Sequence, residues 1–94
     1  MTRDEVEKAL EKVFEELAAL EHERWAHWQK YIHDKGQYEP DGSLRLPAEL
    51  VTRWEAQISK PYSALTEHEK DSDREQVRRY LPMIMNALVD ELRS

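Results

Sequence analysis

The sequence predicts an all-α fold: a small helical domain with a long N-terminal helix, a short irregular or hairpin-like central loop and a kinked C-terminal helix. Three observations predict it. Apolar residues recur at intervals of three and four along most of the chain. Thr-x-x-Glu capping boxes stand ahead of the first and last of these runs. Only two glycines and four prolines interrupt the 94 residues.

Thr2-x-x-Glu5 sets the first helix start near residue 3. Apolar residues follow at 6, 10, 13, 14, 17, 20, 25, 28, 31 and 32, and no Pro or Gly intervenes before Gly36. One helix of about 30 residues, roughly 45 Å long, is predicted. That is long for so small a domain, so its N-terminal half is expected to project or to pack against another subunit, with Glu7, Glu11 and Glu15 in water. Pro40-Asp41-Gly42-Ser43 is a turn signal, and Leu44 and Leu46 alternate with Arg45, which suggests a short extended piece paired near Tyr38. Pro47 suits the first turn of a helix over 47–58, with Leu50, Val51, Trp54 and Ile58 on one face. Lys60-Pro61 ends it. Thr66-x-x-Glu69 and Ser72-x-x-Glu75 are further capping boxes, and the last helix is predicted from about 67 to 92. Val77, Tyr80, Leu81, Ile84, Leu88 and Leu92 line its apolar side, and Pro82 predicts a kink or a break within it.

Length fits one domain over residues 1–94 with a modest core. A charged fraction of 36 % is high, but 39 % hydrophobic residues, with three Trp and four Tyr, is too apolar for a disordered chain. The absence of cysteine removes disulfides and thiolate chemistry and fits a reducing cytoplasm. No apolar run approaches the ~18–20 residues of a membrane span, and Met-Thr-Arg-Asp-Glu lacks the apolar stretch of a signal peptide. The net charge of −6 argues against binding a nucleic-acid duplex. The charge is uneven: residues 1–23 hold eight acids against three bases, whereas Lys70, Arg74, Arg78 and Arg79 cluster in residues 70–79. A local basic face in an acidic chain suits a small anionic ligand, or else is an ordinary solvated helix face.

No catalytic constellation stands out. His22-Glu23-Arg24-Trp25-Ala26-His27 resembles the zinc motif H-E-x-x-H, but its histidines are five apart and turn about 140° away from each other on a helix. Ser59, Ser63 and Ser72 occupy turn or cap contexts. Gly36 and Gly42 do not make a phosphate loop. The chain is therefore read as a non-enzyme, with no cofactor and no metal. Aromatic and cationic residues carry more information. Trp25 and Trp28 are three apart, and Tyr31 and Ile32 continue their ridge; Trp54 and Tyr62 follow on later elements. An indole can stack a base for ~1–3 kcal/mol, and a nearby Arg can clamp phosphate bidentately. Trp28 and Trp54 are expected in the core, while Trp25 suits a pocket or a core equally.

Pro61-Tyr62-x-x-Leu65-x-x-x-Glu69-Lys70-x-x-Asp73-Arg74, together with His22-x-x-Trp25, resembles the RyR domain, the small helical repeat named after the ryanodine receptor. The resemblance covers roughly residues 20–82, leaving 1–19 as an N-terminal extension. It departs in the middle: the family's Gly-Trp-x-Tyr-Gly and His-Pro give way to the 37–46 insert and the helix after it, and Lys60 stands where His is usual. The resemblance implies an adenine-containing anionic ligand, such as an ADP-ribose derivative or a cyclic nucleotide. Trp25 would stack the base, Lys30, Lys60, Arg74 and Arg78 would contact phosphate, and Tyr62 would contact ribose or base. Stand-alone bacterial and phage forms of the family suggest capture of a nucleotide-derived signal, and a phage protein of this kind would act as a sponge in the host cytoplasm. The chain is also expected to form a homo-oligomer through its N-terminal helix. The alternative is a helical protein-interaction module without a small-molecule ligand.

Overall fold

Helix starts follow the two Thr-x-x-Glu boxes. The Glu5 amide donates to Thr2 Oγ1 at 3.2 Å, and the Thr2 hydroxyl donates to the Glu5 carboxylate at 3.1 Å. At the second box the Glu69 amide donates to Thr66 Oγ1 at 3.2 Å and the Thr66 amide donates to the Glu69 carboxylate at 2.9 Å. Such caps are each worth about 1 kcal/mol of helix stability. The computed structural model describes residues 1–93. It shows the predicted all-α character: α1 (Arg3–Lys12), α2 (Phe14–Lys35), β1 (Gln37–Tyr38), β2 (Leu44–Arg45), α3 (Ala48–Ile58), a single 3-10 turn at Tyr62–Ala64, and α4 (Glu67–Arg93). The elements divide into two compact units. One combines Met1–Arg24 with the chain from Ser72 onward, and the other is Trp25–Asp71.

In the first unit the single helix predicted up to Gly36 is interrupted. The Val13 amide bonds to the Leu10 carbonyl, three residues back, at 3.2 Å, and α-helical bonding resumes with Leu17 to Val13 at 2.9 Å. The turn falls at β-branched Val13 followed by aromatic Phe14, neither of them a strong helix former. The N-terminal arm does not project: Lys12 Nζ meets Glu91 Oε2 at 2.9 Å, and the Glu91 side chain is only 12 % exposed. Two further links join the arms. The Tyr80 hydroxyl donates to Glu21 Oε2 at 2.6 Å, and Arg79 Nη2 donates to Glu23 Oε2 at 3.0 Å. Lys12 with Glu91, Glu21 with Tyr80 and Glu23 with Arg79 define an antiparallel register between α4 and the arm made by α1 and the start of α2. Glu7, Glu11 and Glu15 stay exposed, as predicted.

The interior of this unit is thin. Among the described residues of the whole chain, the only buried ones are Ala9 and Ala87, one on each arm. A small side chain at the buried position of each arm allows the helices to approach closely but removes little apolar area from water. Ser72, expected as a cap, lies inside α4, because the Thr66 box has already started that helix. Pro82 does not break α4. It has no N–H, so the Arg78 carbonyl lacks its usual donor from the next turn.

The second unit carries the hairpin predicted near Tyr38. Gln37 pairs with Arg45 and Tyr38 with Leu44, antiparallel. Gly42 turns the chain at φ +90°, a conformation that a side chain disfavours, and the Asp41 carboxylate accepts from the Ser43 amide at 2.9 Å and its hydroxyl at 2.6 Å. Gly36 is required for space: a Cβ there would come within 2.7 Å of Leu44 Cδ1 and 2.9 Å of the Arg45 carbonyl. Pro47 stands just ahead of α3 as its N-cap rather than within its first turn. Gln57 from α3 donates to Glu69 at the start of α4 at 2.5 Å, which ties the two helices through the same carboxylate that closes the cap.

Glu21 gives this fold an acid-sensitive point. The Arg24 guanidinium, then the Tyr80 hydroxyl, hold its carboxyl down at about 2, against an ordinary value of 4.5, and Tyr80 is correspondingly raised by donating to the carboxylate. A depressed folded-state pKa contributes stability that is complete above about 4.5 and is lost as pH falls toward about 2. The thermal midpoint of the wild type should fall across that interval. Glu21→Gln should start lower at neutral pH and lose less on acidification, as followed by circular dichroism.

Candidate ligand-binding surface

The six residues singled out by the sequence fall on both units. Trp25, Lys30, Lys60 and Tyr62 belong to the second, and Arg74 and Arg78 to the first. Each is described within its own unit.

Trp25 stands on α2 and is 55 % exposed. Trp28 and Trp54, expected in the core, are half-buried. Trp28 is held by edge-on rings on both sides, His27 at 6.0 Å and Tyr31 at 5.6 Å between centroids. That arrangement suits the aromatic quadrupole and is worth about 0.5–1.5 kcal/mol per pair. The partial burial of Trp28 and Trp54 follows from the short elements around them: an 11-residue α3 and a two-residue hairpin have too little apolar surface to enclose an indole.

Lys30 is exposed on the same helix as Trp25. Five residues separate them, so their side chains leave α2 about 140° apart. A phosphate on Lys30 and a base on Trp25 would require a ligand that wraps the helix. Lys60 is exposed just after α3, and its ammonium helps to hold the Glu69 carboxyl below the usual range; the first cause of that shift is the Thr66 amide, followed by Gln57 and the Thr66 hydroxyl. Tyr62 opens the 3-10 turn fixed by Pro61 and is 49 % exposed. The Lys70 ammonium lies over its ring at 5.6 Å from the centroid, a cation–π contact worth about 0.5–1 kcal/mol at such a site.

Lys70 is the residue the sequence reading passed over as a site candidate. The capping box carried the signal: a helix that starts just after Thr66 turns Lys70 back over the Pro61-Tyr62 turn. Lys70 is thus set between the Tyr62 ring and the Glu67 carboxylate, which it meets at 3.6 Å, while Glu69 is tied up by Thr66 and Gln57 and lies near Lys60. A second cation–π pair, Lys35 over Tyr31 at 5.3 Å, is spaced four residues apart and lies on α2. Chemically, these surfaces offer faces for stacking and ammonium groups for an anion.

In the first unit Arg74 is half-buried and Arg78 exposed, one turn apart on α4. Arg78 edges a shallow, open depression on one face of α4 that it shares with Leu81, Pro82 and Met85. One guanidinium beside three apolar side chains is a poorer match to a polyanion than to an apolar group with an acidic neighbour.

None of the described helices is long and apolar enough to cross a membrane. No family model, curated protein or solved structure matches the chain.

An exposed Trp25 should be dispensable for folding. Trp25→Ala is expected to retain the far-UV helical signal and to shift stability by less than about 1 kcal/mol, as measured by urea unfolding.

Proposed function

We propose that this chain is a non-enzymatic binding protein that captures an anionic, adenine-containing signalling molecule, an ADP-ribose derivative or a cyclic nucleotide. One observation carries the proposal. Trp25, the position marked by the RyR resemblance for base stacking, is 55 % exposed on α2. Keeping a large apolar ring in water costs apolar burial that a helical domain of this size can ill spare. The same unit carries compatible chemistry: Tyr62 is half exposed on the turn after Pro61, and Lys30 and Lys60 are exposed cations in a chain of net charge −6. Arg74 and Arg78 belong to the other unit, so the ligand assignment rests on Trp25, Lys30, Lys60 and Tyr62. Sequestration of this kind needs affinity and abundance alone, which suits a phage sponge that lowers a host signal.

A second reading is a helical protein-interaction module. The observation in its favour is the amount of apolar surface left uncovered, including Phe14 at 66 % and Ile58 at 76 % exposure. Exposed apolar surface, where it is contiguous within a unit, commonly marks a protein-binding face.

Thermal unfolding against ATP, ADP-ribose, its cyclic isomers and cyclic dinucleotides separates the two. A ligand at about a hundredfold excess over its dissociation constant stabilises the folded state by ~2.7 kcal/mol. A selective rise in midpoint, abolished by Trp25→Ala and with the nucleotide recovered intact, is the expected result. No rise with any member of the panel would reject nucleotide capture in favour of the interaction module, and nucleotide recovered as product would reject the non-enzymatic assignment.

A further inference from the structure

We propose that the open depression at Pro82 of α4 is the seat for the Leu10–Phe14 edge of a second copy of this chain, in a two-fold dimer. The inference rests on the second reading, in which the apolar surface is the functional one, and is independent of any nucleotide.

The depression belongs to a continuous face. Val77, Leu81, Met85 and Leu92 of α4 are each more than half exposed, and their spacing sets them within an arc of about 80° around the helix. Tyr80 and Ala87, which face into the unit, leave the helix about 100° or more from Leu81. One face of α4 therefore packs within the first unit and another, also apolar, is exposed. Single exposed apolar residues are ordinary, but four in register on one helix face are a patch. Pro82 shapes its floor, where a proline ring replaces an amide and stands between Arg78 and Met85.

Charge and shape decide what covers it. The depression has an apolar lining and a single cation, Arg78, on its edge. Its complement is an apolar knob on a helix with a carboxylate one turn away. This chain carries such a knob, which its own fold leaves uncovered. Phe14 is 66 % exposed, and Leu10, also exposed, lies one turn before it. Glu7 precedes Leu10 by three residues within α1, the spacing of neighbours on one helix face, and Glu11 stands at the end of α1 just ahead of the Val13 turn that leads into Phe14. Glu7 is engaged by Arg3 at 3.0 Å, which leaves Glu11, exposed, as the carboxylate for Arg78. In a two-fold arrangement each contact occurs twice, Phe14 and Glu11 of one copy on Leu81, Met85 and Arg78 of the other, and reciprocally. The two Arg–Glu contacts also oppose the repulsion between chains that each carry −6.

The test is the mass of the full chain by multi-angle light scattering over roughly a hundredfold range of concentration. A monomer–dimer transition is expected. Phe14→Glu and Arg78→Glu should each weaken it by at least about tenfold, Glu11→Arg should weaken it as well, and Glu11→Arg combined with Arg78→Glu should recover most of the loss. All three positions are exposed, and a retained far-UV signal confirms that the variants fold. A chain that stays monomeric over the whole range overturns the dimer and leaves the interaction module to a different partner. A dimer indifferent to all four variants overturns this seat, and neither result touches the nucleotide proposal.

Discussion

The Glu21 carboxylate is gripped from both sides of the first unit. Arg24, one turn along its own helix, donates through Nε at 3.0 and 3.1 Å to its two oxygens, and Tyr80, 59 residues away, donates its hydroxyl at 2.6 Å. Charge-assisted bonds of this kind are short and directional. Here they do work that large apolar side chains do in most small domains. Among the described residues only Ala9 and Ala87 are buried, and larger apolar side chains such as Leu17, Leu20, Ile84 and Leu88 are half-buried, so the polar links add register information to a shallow apolar contact. Glu21 with Tyr80, Glu23 with Arg79 and Lys12 with Glu91 select one register from the many that close-packed helices could adopt.

A register held by polar groups has a consequence for the surface. Apolar residues that would otherwise fill an interior remain available outside. α4 shows this most clearly, with Tyr80 and Ala87 turned inward and Val77, Leu81, Met85 and Leu92 left in water. Trp25 on α2 and Ile58 on α3 show it in the second unit. A partner bound to such a surface would add to stability by mass action.

Local signals in the sequence proved the most readable. The boxes at Thr2 and Thr66, the turn at Asp41-Gly42 and the stop before Pro61 each act within a few residues, and each falls where the spacing predicts. Two local readings failed. Ser72 had the pattern of a cap, but the Thr66 box had already started the helix. The turn at Val13 interrupts a run in which every residue tolerates helix, and neither Gly nor Pro marks it in the sequence. The candidate site was legible only in part. Tyr62 and Lys60 could be placed from the Pro61 turn, but Lys70 over the Tyr62 ring required knowing where α4 begins. The exposure of Trp25 and the link from Glu21 to Tyr80 depend on how distant segments meet, which periodicity does not encode.

The polar register is tested most directly by a double-substitution cycle on its shortest link. Thermal midpoints of Glu21→Gln, Tyr80→Phe and the double variant, measured at neutral pH beside the wild type, isolate the coupling between the two side chains. If this contact fixes how the arms meet, each single change lowers the midpoint and the double variant falls little further than the worse single one, because both remove the same bond. Losses that simply add would contradict the account, since they would mean that Glu21 and Tyr80 act independently and that something else sets the register.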